Sequence, residues 1–264
     1  MTIADIILVR ENKESEMLTQ LKRYYDEVGI LSTNFHCQYF DQCVSEFKDL
    51  VKGKSAYVGS RYEEHSLPRI LFVSLDMGSD DSFETPQQRT PQGVRAVEEN
   101  RYWQQFNPLN HWYATHKLAV LIAQVFEPQL TYQDANSIFA HTNSAKCCPV
   151  KSGKEMAPAV LYRNCRHYMH DELEILNPDI IVSQGTRAMD AVHFSTENIS
   201  HISEYQIISK IHERIEIVKI NQHPVLLINS IFPSWRNDRT RKQEKELYPF
   251  YLQAAKVFTS FVHL

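Results

Sequence analysis

The sequence predicts an α/β fold: three layers, α/β/α, around a central, mainly parallel sheet of four or five strands. Two observations predict it. Short apolar runs at 69–75 (RILFVSL), 179–183 (DIIVS) and 224–231 (PVLLINSI) are bounded by turn residues and read as strands buried on both faces. Between them stand segments with apolar residues at helical spacing, and strands alternating with helices imply parallel pairing through crossovers.

The elements follow in order. Residues 12–28 place Met17, Leu18, Leu21, Tyr25 and Val28 on one helical face, and residues 40–51 look helical again. The first buried strand, 69–75, lies between Pro68 and Asp76-Met77-Gly78. The polar stretch 79–108, with Pro86, Pro91 and Pro108, reads as a long loop with one short helix at 93–103. A loop of that length usually serves a function. Residues 109–126 are strongly helical. Residues 137–140 form a short strand that runs into a loop, His141-Thr142-Asn143. One helix covers 155–176 and ends before Asn177-Pro178. After the strand 179–183, Gln184-Gly185-Thr186 opens a helix over 186–193. Residues 206–220 alternate apolar and polar and read as a hairpin or two strands. The strand 224–231 stops at Phe232-Pro233-Ser234, and a last helix covers about 240–261. The chain 1–264 reads as one domain, with about 1–50 as its N-terminal helical segment.

Composition narrows the function. Hydrophobic residues make up 43% of the 264, enough for a core, which excludes global disorder. None of the seven glycines falls in a GxGxxG or GxxxxGKS pattern, which argues against a Rossmann or P-loop nucleotide site. No apolar run approaches the roughly 18 residues that a membrane span needs. The N-terminal residues lack the basic region of a secretory signal and turn acidic at once, so a cytoplasmic protein without a membrane partner is expected. In that reducing compartment the five cysteines are metal ligands or buried thiols rather than disulfides.

Ligands of parallel α/β sheets bind beyond the carboxyl ends of the strands. Asp76-Met77-Gly78, His141-Thr142-Asn143 and Phe232-Pro233-Ser234 fall there. The cysteines form two spaced pairs, Cys37 with Cys43 and Cys147 with Cys165. Four thiolates can hold zinc or an iron–sulfur cluster, and buried apolar thiols are the equal alternative. Cys148 competes with Cys147 as a ligand. The net charge of −4 does not suggest nucleic acid. However, Arg236, Arg239, Arg241 and Lys242 cluster after the third loop, and Lys146, Lys151, Lys154, Arg163 and Arg166 surround the second cysteine pair.

Residues 139–149 (FAHTNSAKCCP) and 164–185 (NCRHYMHDELEILNPDIIVSQG) resemble the iron–sulfur (family 4 type) uracil-DNA glycosylases. Thr142, Asn143, Lys146, Cys147, Cys165, Pro178 and Gly185 take the places of that family's second motif and following strand. The resemblance implies a uracil-DNA glycosylase-like fold. It also implies a structural [4Fe–4S] cluster on Cys37, Cys43, Cys147 and Cys165, although the first pair is wider than the family's C-x-x-C. Asp76 falls where classical uracil-DNA glycosylases place the aspartate that activates water. Asn143 falls where the family reads the edge of a flipped base, a task an amide suits because it both donates and accepts. Asp76 also suits a turn or helix cap, and Asn143 a capped turn.

The third motif of that superfamily is His-Pro-Ser. Here Phe232-Pro233-Ser234 takes its place, with His223-Pro224 as the rival register. His111, His116 and His141 are candidate substitutes for the missing histidine. Ser74, Met77, Gly78, Phe106, Phe232, Ser234 and Arg236 complete the expected base pocket and DNA loop, with Phe83 and Trp103 as further stacking candidates. The implied activity is hydrolysis of the N-glycosidic bond of a flipped uracil or modified pyrimidine, leaving an abasic site, in repair or in defence against modified phage DNA. The expected partner is damaged or modified DNA, single- or double-stranded, bound by a monomer. The alternative is an inactive member that binds DNA or a protein.

Overall fold

The computed structural model describes residues 15–45, 50–76, 84–101, 111–149, 157–231 and 238–262. The strands are β1 (Leu50–Val51), β2 (Tyr57–Val58), β3 (Ile70–Asp76), β4 (Phe139–Ala145), β5 (Cys148–Pro149), β6 (Ile180–Gln184), β7 (Glu197–Asn198), β8 (Ile215–Ile220) and β9 (His223–Ser230). Seven of them form one sheet in the order β2-β4-β3-β6-β9-β8-β7. The four central strands β4, β3, β6 and β9 are parallel, and β2, β8 and β7 add antiparallel edges. The sheet is thus wider than the four or five strands expected. Its extra edge strands β2 and β7 are two residues long, too short to leave a periodic signal.

The central strands are buried on both faces, and alternate residues serve two cores. Ile70, Phe72, Phe139, Ile180, Val182 and Ile228 pack against helices His111–Ala123 and Asp238–Val262 through Leu118, Ile122, Tyr251 and Phe258. Leu71, Val73, Ala140, Ile181 and Leu227 face helices Glu16–Glu27, Met169–Leu176 and Thr186–Ser195 through Leu21, Tyr25, Leu173 and Val192. This division produces the three layers. Each fully buried aliphatic or aromatic side chain contributes about 1.5–3 kcal/mol relative to exposure.

Local chemistry sets the boundaries. Ser15 caps helix Glu16–Glu27 by accepting from the Leu18 amide at 3.1 Å. Helix Met169–Leu176 ends on Asn177 at φ 43° ahead of Pro178. Gly185 adopts φ 94° and ψ 165°, a region open in practice only to glycine, and this starts helix Thr186–Ser195 at the end of β6.

Several expectations need correction. His141-Thr142-Asn143 is not a loop: β4 runs through it, in register with Phe72, Val73 and Ser74 of β3. The helix expected over 155–176 is two helices, Ala159–Cys165 and Met169–Leu176, joined by a 3₁₀ turn at Arg166–Tyr168. Residues 206–220 hold a short helix Gln206–Ser209 and one strand, β8, whose hairpin partner is β9. The segment 40–51 is helical only at Phe40–Val44, and its end is β1, paired with β5. Within 79–108 the expected short helix is present, at Pro91–Arg101, and a 3₁₀ turn at Gln87–Arg89 precedes it. Among the described residues no helix is long and apolar enough to cross a membrane.

Candidate functional site

Asp76 is the last residue of β3, and its carboxylate is half-buried. Its Oδ2 accepts from the Ala157 amide at 3.2 Å and from the Tyr162 hydroxyl at 3.0 Å. Burial, and then the charge of Asp76, push the Tyr162 hydroxyl far above its ordinary value, so it remains a donor. The Arg187 guanidinium lies 5.8 Å from the centre of the same ring.

Asn143 pairs in register with Ser74 of β3, two residues before Asp76. Side chains alternate along a strand, so Asp76, Ser74 and Asn143 share one sheet face near the carboxyl ends. Asn143 is half-buried, and no hydrogen bond to its amide forms among the described residues. Ser74 is buried: its hydroxyl donates to Gln184 Oε1 at 2.6 Å and accepts from His141 Nε2 at 2.8 Å. Gln184 also donates to Thr115 at 2.9 Å, and Trp112 covers His141 with ring centres 4.6 Å apart. His141 therefore belongs to the buried floor of the site.

The other face of β4 carries a second network. Lys146 is 2% exposed, and its ammonium contacts Glu172 Oε2 and donates to Thr142 Oγ1 at 2.6 Å. Thr142 and Tyr25 both donate to Glu172 Oε1, with Thr142 at 2.9 Å. The buried charges are thereby paired and hydrogen-bonded, as burial demands.

Beyond the end of β3 and β4 lies a third, small core that includes Cys43, Cys147, Leu161 and Tyr162. Cys37, Cys43, Cys147 and Cys165 together line one cavity there, with Phe35, Tyr39, Leu50, Leu161, Asn164 and Tyr168. Cys148 belongs to β5, paired with Val51 of β1, and does not line it. Three of the four sulfurs have polar neighbours. The Lys146 amide donates to Cys165 at 3.3 Å, Asn164 Nδ2 donates to Cys43 at 3.4 Å, and Tyr168 Oη lies 3.2 Å from Cys37. Burial, and then the neighbouring thiols led by Cys165, push the Cys147 thiol well up. Burial likewise pushes Cys165 up to about 12, against the Lys146 amide and charge.

Among the described residues, His170, Asp171 and Glu174 are the one trio of ligand atoms within 4.8 Å of one another. The cysteine sulfurs are thus more open than the roughly 3.8 Å spacing that four thiolates at 2.3 Å from a tetrahedral zinc require. They line one cavity together rather than meeting at a single point.

No known protein-family model matches the chain, and no curated protein matches it.

Of the expected site residues, the structure brings together the four cysteines, and it gathers Asp76, Ser74 and Asn143 on neighbouring strands. Met77, Gly78, Phe83, Trp103, Phe106, Phe232, Ser234 and Arg236 lie outside the described residues. The rival His223-Pro224 register is at the wrong end of the sheet. His223 begins β9 and bonds Asp179 at 3.2 Å, beside the first residues of β3 and β6. The sequence reading missed Tyr162, Tyr25 and Glu172. Glu172 carried a signal: it occupies the apolar stripe Met169-Glu172-Leu173-Leu176, and a carboxylate in such a stripe needs a buried cation.

Proposed function

We propose that this protein is a DNA glycosylase that hydrolyses the N-glycosidic bond of a flipped uracil or modified pyrimidine and leaves an abasic site. One observation carries the reading: four cysteines drawn from two distant stretches of chain meet at one cavity, and a single short helix links that cavity to Asp76. Helix Ala159–Cys165 holds Cys165 at its end and Tyr162 one turn earlier, where it bonds Asp76.

The residues present fit a [4Fe–4S] cluster on Cys37, Cys43, Cys147 and Cys165, and when bound it supplies a structural cross-link. The chemistry belongs to the chain's own side chains. Asp76, fixed by Tyr162 and the Ala157 amide, orients water and opposes the positive charge that grows on the sugar as the base leaves. Asn143 offers its amide to the edge of the flipped base. The Ser74–Gln184–Thr115 network holds the floor between them, with no reorganisation needed during the reaction.

The test is a panel of uracil-containing and modified DNAs, with abasic sites revealed by alkaline cleavage. Turnover that disappears in Asp76→Asn while DNA binding persists is the expected result. A second reading, a fold that binds DNA without cutting it, is favoured by the two hydrogen bonds that already occupy Asp76. Absence of abasic sites across the panel, with binding intact in both proteins, would select it.

A further inference from the structure

Two adjoining surface depressions share Arg166. One is lined by Tyr162, Arg163, Arg166, Arg187 and Asp190, the other by Arg166, His167 and Phe194 among others. Lys219 in the second is paired with Glu197 at 2.7 Å, so its charge is cancelled. The arginines differ. Among the described residues none of Arg163, Arg166 and Arg187 has a carboxylate within salt-bridge reach. Asp190 lines the same depression without pairing with any of them. Arg166 Nε is buried as an atom and has no hydrogen-bond acceptor among the described residues. A donor left so is unsatisfied, and an incoming oxyanion supplies the missing acceptor.

The path also has an aromatic step. Phe194 is 49% exposed, with the Arg166 guanidinium 4.1 Å from its ring centre and the His167 ring edge-on at 5.1 Å. At the other end Arg187 covers Tyr162, whose hydroxyl bonds Asp76. The two depressions thus run from Tyr162, which bonds Asp76, past three arginines that have no carboxylate partner among the described residues, to an exposed ring.

We infer that this track holds one strand of nucleic acid flanking the target nucleotide, in single-stranded form. Arg163, Arg166 and Arg187 take successive phosphates, and Phe194 stacks an unpaired base. Positive grooves with interleaved aromatics bind single strands in this way, whereas bases in a duplex are already stacked on each other. The inference rests on the glycosylase reading only for what sits at Asp76.

The experiment uses the full chain and an undamaged, fluorescein-labelled single strand of about a dozen nucleotides, with anisotropy followed across a salt series. Each phosphate contact contributes about −0.7 to the slope of log affinity against log salt. The triple variant R163Q/R166Q/R187Q is expected to lose about 2 from that slope. F194A is expected to bind roughly tenfold more weakly with the slope unchanged. Far-ultraviolet dichroism identical to the parent's establishes that both variants are folded. An unchanged slope in the triple variant, duplex bound as tightly as the single strand, or equal competition by polyglutamate would each overturn the track. Undamaged DNA needs no excision, so a protein that binds this strand as described yet forms no abasic sites sinks the glycosylase reading and leaves the track standing.

Discussion

Tyr162 donates its hydroxyl hydrogen to Asp76 at 3.0 Å, so the helix that ends in Cys165 and the carboxyl end of β3 are joined side chain to side chain. Tyr162→Phe keeps the ring and removes the donor. We expect abasic-site formation under single-turnover conditions to fall roughly tenfold to a hundredfold as Asp76 loses its fixed orientation. Stability should drop by only about 1–2 kcal/mol in urea. An unaltered rate would show that Asp76 needs no such support.

The cysteine cavity makes a selective prediction. Replacing Cys37, Cys43, Cys147 or Cys165 with serine should each lower bound iron and visible absorption in the purified protein. Cys148→Ser should leave both at the parental level, because Cys148 sits in the β1–β5 ladder. Equal iron in Cys147→Ser and parent, with loss in Cys148→Ser, would reverse the assignment of ligand.

Lys146 and Glu172 form a buried pair, and removing one partner strands the other charge. Lys146→Met and Glu172→Gln should each cost about 3–5 kcal/mol by urea unfolding. The double variant should recover much of that loss, since no unpaired charge remains. Additive losses in the cycle would mean that the two side chains are not coupled.

Asp179 governs an acid limb at the opposite end of the sheet. Burial works against its charge, yet bonds from His223, the Arg69 amide and His65 win and hold the carboxyl below its usual range. A depressed value means stability present above the unfolded value near 3.9 and lost as pH falls through the folded one. Asp179→Asn should therefore be destabilised by about 1–3 kcal/mol at neutral pH. Its curve should converge on the parent's as falling pH protonates the folded carboxyl. A constant gap from neutral to acid would exclude the charge as the cause.

Gly185 sits at φ 94° where β6 hands over to helix Thr186–Ser195, and its amide donates to Ser230 at 3.1 Å. Gly185→Ala should cost about 1–3 kcal/mol in thermal or urea unfolding through backbone strain alone. A neutral result would mean that the turn relaxes freely.

Much of this architecture is legible in the residues. The runs around Ile70 and Ile180 emerge within one residue as β3 and β6, because doubly buried strands leave continuous apolar text. His141-Thr142-Asn143 misled because it is polar. His141 is satisfied by Ser74 on the neighbouring strand and Thr142 by Glu172 in the helical layer, and such distant partners leave no local trace. The alternation in 206–220 reads as a hairpin or two strands, but Ile208 turns into the core from a short helix. In the site, the cysteine pairs were readable through the resemblance, whereas Tyr162 looked like any aromatic on a helix. Only its hydrogen bond to Asp76 sets it apart.

The split origin of the cysteine quartet has a consequence during synthesis. Cys37 and Cys43 leave the ribosome roughly a hundred residues before Cys147. At about 5–20 residues per second, that is an interval of about 5–20 s. Through that time the early thiols have no partner sulfurs to close around a shared metal. A nascent chain is therefore most vulnerable to oxidant and to stray soft metals before β4 is complete, and loading of any inorganic group must wait for the second half of the polypeptide.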